Sequence, residues 1–370
     1  MGKNIKWLNE SSYISPLSPA CKMCADGSKM VVLITGLCPA NCFYCPLSQE
    51  KTGKDRIFAD EWELVDEDDT EKLIKEAKYI DATGAGITGG DPLVVWQRTK
   101  KYITLLKKEF GNNFHIHLYT SGLKNGDKIK NLITAGLDEI RFHPNPIYWN
   151  NMKKSPISSI IKSTLKTNCD VAIEIPVIPD MEKEIFTLIQ WAESIGIKWI
   201  NLNELEFSET NAKKLKDKGY KVKDDISSAV KGSQETANKV IKMIGNENFK
   251  TGVHYCSSSF KDGIQLRNRI KRRAKNVAKE YEIISEDGTL IKGLIFTKKT
   301  LIAKIYKLLI EKFEIEKKYI HLMDDKIEIA PWILEDIAKD LVKKGIECFI
   351  VEQYPTADKL EVERIPLSCQ

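Results

Sequence analysis

Three thiols stand within eight residues of the stretch "TGLCPANCFYCP": Cys38, Cys42 and Cys45, spaced Cys-x3-Cys-x2-Cys, with the aromatic Tyr44 before the last. Three thiolates on one loop can wrap three corners of a cubane iron–sulfur cluster, whereas a closed structural zinc site needs four ligands, usually as two separated pairs. Three is the informative number. A cluster held by three cysteines has one iron without a protein ligand, and an open coordination position is where chemistry occurs.

A second set of thiols lies on either side. Cys21 and Cys24 form a Cys-x2-Cys pair in "SPACKMCADGSK", and Cys256 sits in "GVHYCSSSF". Such a pair is a common metal half-site. If the chain returns past its N-terminal segment after the sixth strand, Cys256 completes a second three-thiolate set. That set suits an auxiliary iron–sulfur cluster, or zinc with help from His254; three free thiols are the remaining reading.

A third feature is charge. Arg267, Arg269, Lys271, Arg272, Arg273 and Lys275 place six cations in nine residues, enough to neutralise several phosphates of a nucleic acid if exposed. The competing reading is a solvated helix face beside acidic neighbours. No aromatic residue is interleaved, which weakens a case for stacked single-stranded RNA.

These groups need a scaffold. Strand signals fall at 30–36, 81–90, 114–122, 137–144, 170–179 and 198–206, with amphipathic stretches between them, the pattern of a parallel α/β fold. The polar residues Thr83, His117, Thr120, Arg141, His143, Glu174, Asn201 and Asn203 fall on or beside these strands, several two apart. An inward polar set suits a barrel whose lumen holds a ligand. Beyond residue 280 the signals give a small α+β module: a hairpin around "EDG", two helices and further strands. The expected organisation is an N-terminal segment (1–29) with the Cys-x2-Cys pair, a barrel (30–247), a segment with Cys256 and the basic linker (248–279), and the α+β domain (280–370).

Composition sets the outer limits. With 370 residues, 42% hydrophobic and 29% charged, the chain can bury a large core. A net charge of +5 does not by itself imply nucleic acid. No apolar run is long enough to span a bilayer, and "MGKNIKWLNESSY" lacks the apolar core of a secretory signal, so no membrane partner and a cytoplasmic location are expected. In a reducing cytosol, clustered cysteines point to metal ligands rather than disulfides.

Cys38, Cys42 and Cys45, with Tyr44 in place, resemble the cluster motif of the radical S-adenosylmethionine (radical SAM) superfamily, and the chain resembles an uncharacterised group related to the pyruvate formate-lyase activating enzymes. The resemblance covers roughly residues 25–247. It implies a (β/α)6 partial TIM-like barrel, a 4Fe-4S cluster whose open iron chelates S-adenosylmethionine, and reductive cleavage to a 5′-deoxyadenosyl radical that abstracts hydrogen from a substrate. "GGDP" (Gly89, Gly90, Asp91, Pro92) resembles the family's GGEP motif, with the shorter Asp91 in place of Glu. The resemblance further implies ribose contact at Ser121, a carboxylate partner in Arg141, with a buried structural ion pair as the alternative, and cofactor support from Tyr44, Glu174 and Asn203.

The implied electron donor is a ferredoxin or flavodoxin. The basic linker, the appended module and the second thiol set together suggest an RNA base, in tRNA, as substrate. The alternatives are radical modification of a peptide or small metabolite beside an auxiliary cluster and, in another class, a non-catalytic metal-binding protein that binds nucleic acid. The glycyl-radical substrate of the activating enzymes does not carry over from the barrel motifs alone.

Overall fold

Short apolar runs closed by glycine, aspartate or proline become strands where both of their faces are covered, and all six strand signals do so here. The computed structural model describes residues 4–14, 16–225 and 227–368. A hairpin of β1 (Asn4–Lys6) and β2 (Ser12–Ile14) leads through α1 (Pro19–Ala25) to β3 (Lys29–Leu33). After the cysteine loop come β4 (Ile57–Ala59), β5 (Trp62–Leu64) and α2 (Thr70–Tyr79). The chain then alternates: β6 (Gly84–Thr88), α3 (Trp96–Phe110), β7 (His115–Thr120), α4 (Ile129–Thr134), β8 (Glu139–Phe142), α5 (Ser158–Thr164), β9 (Asp170–Val177), α6 (Glu182–Ile195) and β10 (Trp199–Glu204). Helices α7 (Ala212–Asp217) and α8 (Ser233–Gly245) precede β11 (Gly252–Cys256).

These strands form one sheet in the order β1-β2-β11-β10-β9-β8-β7-β6-β3-β4-β5. The run from β11 to β3 is parallel throughout, and an antiparallel hairpin covers each of its edges, β2 on β11 and β4 on β3. Covering the edges by hairpins blocks stray pairing. The sheet keeps two ends and does not close. The fold is thus mixed α/β, and it holds a seventh parallel strand, β11, beyond the six expected. Its signal, "GVHYC", is only five residues long and carries a histidine and a cysteine.

Local rules explain the ends of the elements. Ser18 caps α1, accepting from the Cys21 N–H, with Pro19 at the first helical position. Gly196 closes α6 in the left-handed conformation at φ 82°. In β6, a Cβ at Gly86 would lie 2.7 Å from the His117 ring, so glycine there leaves room for the histidine.

The chain divides into two units, one reaching to Lys78 and resuming at Ala82–Leu266, the other formed by Tyr79–Asp81 with the chain from Arg267 onward. The first ends with α9 (Ser258–Phe260) and a π-helical turn, Lys261–Leu266. In the second, α10 (Arg267–Val277) leads to a sheet of β12 (Ile283–Ile284), β13 (Leu290–Phe296), β14 (Ile320–Leu322), β15 (Ile327–Ile329), β16 (Glu347–Gln353) and β17 (Glu361–Pro366). Helices α11 (Lys299–Lys312) and α12 (Pro331–Val342) supply the apolar core, including Leu309, Leu334 and Leu341 against Ile295, Ile327 and Ile329. No helix among the described residues is long and apolar enough to cross a membrane.

Candidate active site

The cysteine loop leaves β3 at Thr35 and runs back to back with the loop that leaves β6. Thr35 and Leu37 carbonyls accept from the Gly90 and Asp91 N–H groups at 2.7 and 2.8 Å. A Cβ at Gly89 would stand 2.2 Å from the Thr35 oxygen, and one at Gly90 2.2 Å from the Leu37 oxygen; Gly89 also holds φ 130°. Glycine is required at both positions by this approach. With the Gly90 N–H so engaged, the carbonyl oxygens of the Gly89–Gly90 backbone are acceptors that suit an amino group.

Asp91 faces away from the cavity. Its carboxylate accepts from the Leu93 N–H at 3.0 Å, the Thr120 hydroxyl at 2.8 Å and the Ser121 N–H at 3.0 Å, as well as from the Ser121 hydroxyl. Burial pushes this carboxyl up, against the pull of those donors. Asp91 therefore braces the ends of β6 and β7, and its short side chain is what places it within reach of both.

A cavity of about 730 Å³ opens above these loops. Cys38, Cys42, Cys45, Tyr44, Gly89, Gly90, Ser121, Glu174 and Asn203 all line it, whereas Asp91, Pro92 and Arg141 do not. Cys38 is exposed, and Cys42 and Cys45 are half-buried. Among the described residues no three His, Cys, Asp or Glu side chains converge on a single metal-ion position. A cubane makes no such demand, because each thiolate binds a different iron. Three thiols on one loop, open to a cavity floored by bare glycine backbone, fit a three-cysteine cluster with a chelating ligand beside it.

Behind the cavity lies a buried polar network. The Arg141 guanidinium, 2% exposed, donates to Glu139 and Glu174 at 2.6 Å each and to the Ser18 hydroxyl at 3.0 Å. Glu174 also accepts from Asn201 at 3.1 Å and Asn203 at 2.8 Å. The fork of Arg141 is thus occupied by protein, the arrangement of a structural ion pair.

His143, among the polar strand residues of the sequence but given no role there, is held on both sides. Its Nδ1 lies 2.7 Å from the Glu174 carbonyl and so carries the proton, and Nε2 accepts from the Tyr44 hydroxyl at 2.9 Å. Tyr44, 5% exposed, is fixed further by Asn211, which donates to its carbonyl at 3.1 Å. Lys29 also lines the cavity and was not singled out from sequence. Its signal is a lysine in phase with Val31 and Leu33 on an otherwise apolar strand.

Cys21, Cys24 and Cys256 are brought to one region, since β11 lies beside β2 and Cys256 packs with Ala25 of α1. Their thiols are engaged differently. Cys21 is 3.4 Å from Asn201 Oδ1 and 3.5 Å from Arg141, Cys256 is 3.6 Å from Gln265, and Cys24 lines the cavity. Burial pushes the Cys24 thiol up to about 12. His254 points Nδ1 at Asn201 Oδ1, 2.8 Å away. A tetrahedral zinc would need these donors drawn to one point.

The basic stretch is drawn into its own unit. Arg272 donates to the Ile80 and Asp81 carbonyls at 2.7 and 2.6 Å, Arg273 lies 5.2 Å above the Tyr79 ring, and Arg267 pairs with Asp287 at 2.8 Å. The solvated-face reading underrated these contacts, and the phosphate-binding reading loses three of its six cations to them.

Residues 32–192 match the radical SAM superfamily, and residues 288–367 match a domain of unknown function, DUF8061. A protein of Methanocaldococcus jannaschii, provisionally named a glycyl-radical enzyme activating enzyme, is 44% identical over 371 residues, spanning 98% of this chain and 95% of its own. The chain belongs to the radical SAM superfamily and is an enzyme of that type, a family that works with a 4Fe-4S cluster and S-adenosylmethionine. Among solved structures, Streptococcus suis SuiB bound to S-adenosylmethionine aligns at 11% identity and TM-score 0.43, over 62% of this chain and 50% of that one. SuiB bound to its precursor peptide SuiA aligns at 10% and 0.44, over 64% and 51%. The chain spans about half the length of those structures.

Proposed function

We propose that Cys38, Cys42 and Cys45 hold the 4Fe-4S cluster and that S-adenosylmethionine lies over the Gly89–Gly90 backbone, with Ser121 and Asn203 at its edge. When bound, the two supply an electron and a 5′-deoxyadenosyl radical for hydrogen abstraction. The chain's own residues position and enclose: the Thr35–Gly90 and Leu37–Asp91 contacts set the cysteine loop against the glycine floor, Asp91 holds Ser121, and Tyr44 with Asn211 fixes the third thiol's neighbour. Gathering the reacting groups in one cavity orients them. One observation carries this reading: three thiols and two bare glycines, from loops after different strands, line the same cavity. Residues of β3, β6, β7, β9 and β10 face it together, which supports a sheet curled as a partial (β/α) barrel.

The name of the Methanocaldococcus relative favours a protein as the substrate, and the cluster's need for an electron calls for a reductant of the ferredoxin or flavodoxin type. An RNA substrate draws no support from the basic helix, given its internal contacts. Anaerobic purification with iron and sulfide counts tests the cofactor assignment: about four irons per chain, falling to none in the Cys38, Cys42, Cys45 triple Ala variant, are expected. About eight irons falling to about four in that variant would instead indicate a second cluster, for which Cys21, Cys24 and Cys256 are the candidates. Unchanged release of 5′-deoxyadenosine by the triple variant would overturn the reading.

A further inference from the structure

The cavity does not end at the glycine floor. It runs inward past Gly86, His117 and Tyr119 to Lys29 and Cys24, and nothing in the cofactor reading uses this inner arm. Lys29 opens β3, is 3% exposed, and is held at two points, Nζ to His115 Nδ1 and to the His115 carbonyl, each 2.7 Å. An ammonium has three N–H groups; Lys29's remaining contact is the Met23 sulfur at 3.7 Å. Among the described residues no carboxylate stands within ion-pair distance of it, since Glu139 and Glu174 are bound to Arg141.

His117 is the second element of the arm. It is 1% exposed, and neither ring nitrogen has a hydrogen-bond partner. Burial, with Lys29 and Arg141 near, drives its pKa well below the usual value, so the ring is neutral and offers one donor and one acceptor. The absence of a side chain at Gly86 is what lets the ring stand there. Buried polar groups are almost always partnered, and a rigid buried lysine amine with no carboxylate beside it, next to an unpartnered imidazole and facing the same cavity, is a site built for a ligand.

We propose that this inner arm binds a carboxylate of the substrate, Lys29 pairing with one oxygen as the ammonium that the arriving anion stabilises and His117 donating to the second. One ammonium that only an arriving anion compensates, with one neutral donor, matches a singly charged, two-oxygen group better than a phosphate dianion. The proposal rests on the reading above, in that the substrate enters the same cavity, and it adds the chemistry of the group that anchors it. A small carboxylic acid or an acidic side chain of a protein would both present this group.

The test is histidine-detected NMR on the reconstituted holoenzyme, with acetate as the probe, methylammonium as its cationic counterpart, and a blocked glutamate peptide beside its glutamine analogue. Signals of His117 are assigned with His117→Gln. Acetate should shift them saturably and methylammonium should not. Affinity should fall at least tenfold in Lys29→Met, with Lys29→Gln as a second variant and circular dichroism and iron content as the controls for folding. Binding of the glutamate peptide as well assigns the carboxylate to a protein side chain; binding of acetate alone assigns it to a small acid. No saturable shift at His117, an equal response to methylammonium, or unchanged affinity in both Lys29 variants overturns the inference. Release of 5′-deoxyadenosine is measured on the same wild-type sample: its absence would remove the cofactor reading, whereas its presence without acetate binding would remove this inference alone.

Discussion

Asp91 and Ser121 belong to different loops, and the Asp91 carboxylate accepts from both the backbone N–H and the hydroxyl of Ser121. The acid of the GGDP motif is thus the clasp between the ends of β6 and β7, while the glycines before it line the cavity.

Asp91→Ala leaves the Thr120, Ser121 and Leu93 donors without their buried acceptor. The expected cost is about 2–4 kcal/mol in urea denaturation. A loss under about 1 kcal/mol would show that Asp91 is not the clasp.

Arg141→Ala strands Glu139 and Glu174 in the interior and should destabilise the protein by about 3–5 kcal/mol. Arg141→Lys should recover only part of this, since an ammonium cannot reproduce the guanidinium fork. A variant of wild-type stability with weakened S-adenosylmethionine binding would instead place Arg141 on the methionine carboxylate.

Gly90→Ala puts a methyl against the Leu37 carbonyl. Overpacking of this kind costs about 1–3 kcal/mol, and the displaced cysteine loop should retain less iron after anaerobic purification. Full iron content and unchanged S-adenosylmethionine affinity would contradict the back-to-back arrangement of the two loops.

Burial pushes Lys29 down to about 7 from its usual 10.5, opposed by Cys24, Glu139 and Asp138 and aided by Arg141. Between those two values the unfolded chain holds the proton and the native chain does not. Native stability from this residue therefore rises with pH across that window, and below it the buried charge is a full penalty. Lys29→Met should accordingly exceed wild type in stability at about pH 6, with the difference shrinking by about pH 9 in urea melts. A difference independent of pH would show that Lys29 titrates normally.

Much of this was legible in one dimension. The six strand signals, the helices between them and the helix ends at Pro331 and Gly196 follow from local periodicity and backbone preference, which neighbours in the fold did not override. Chemistry carried by close spacing was equally legible: Cys38, Cys42 and Cys45 share one loop, and Gly89 and Gly90 share another. β11 was missed because "GVHYC" is short, and its cysteine and histidine suggested ligands before they suggested a strand.

What the linear pattern determined, then, was the class of fold and the two loops proposed to hold the cofactors, because both depend on residues a few positions apart. Tertiary structure alone decided which polar side chains face the cavity and which face each other. Arg141 is paired with Glu174, 33 residues away; Tyr44 with His143, 99 away; and Arg272 with Ile80, 192 away. A buried charge must find a partner, and the strand order rather than the sequence interval determines which one is near. The same order left Lys29 without a carboxylate and His117 without a partner, and it is there that the cavity has room for a substrate.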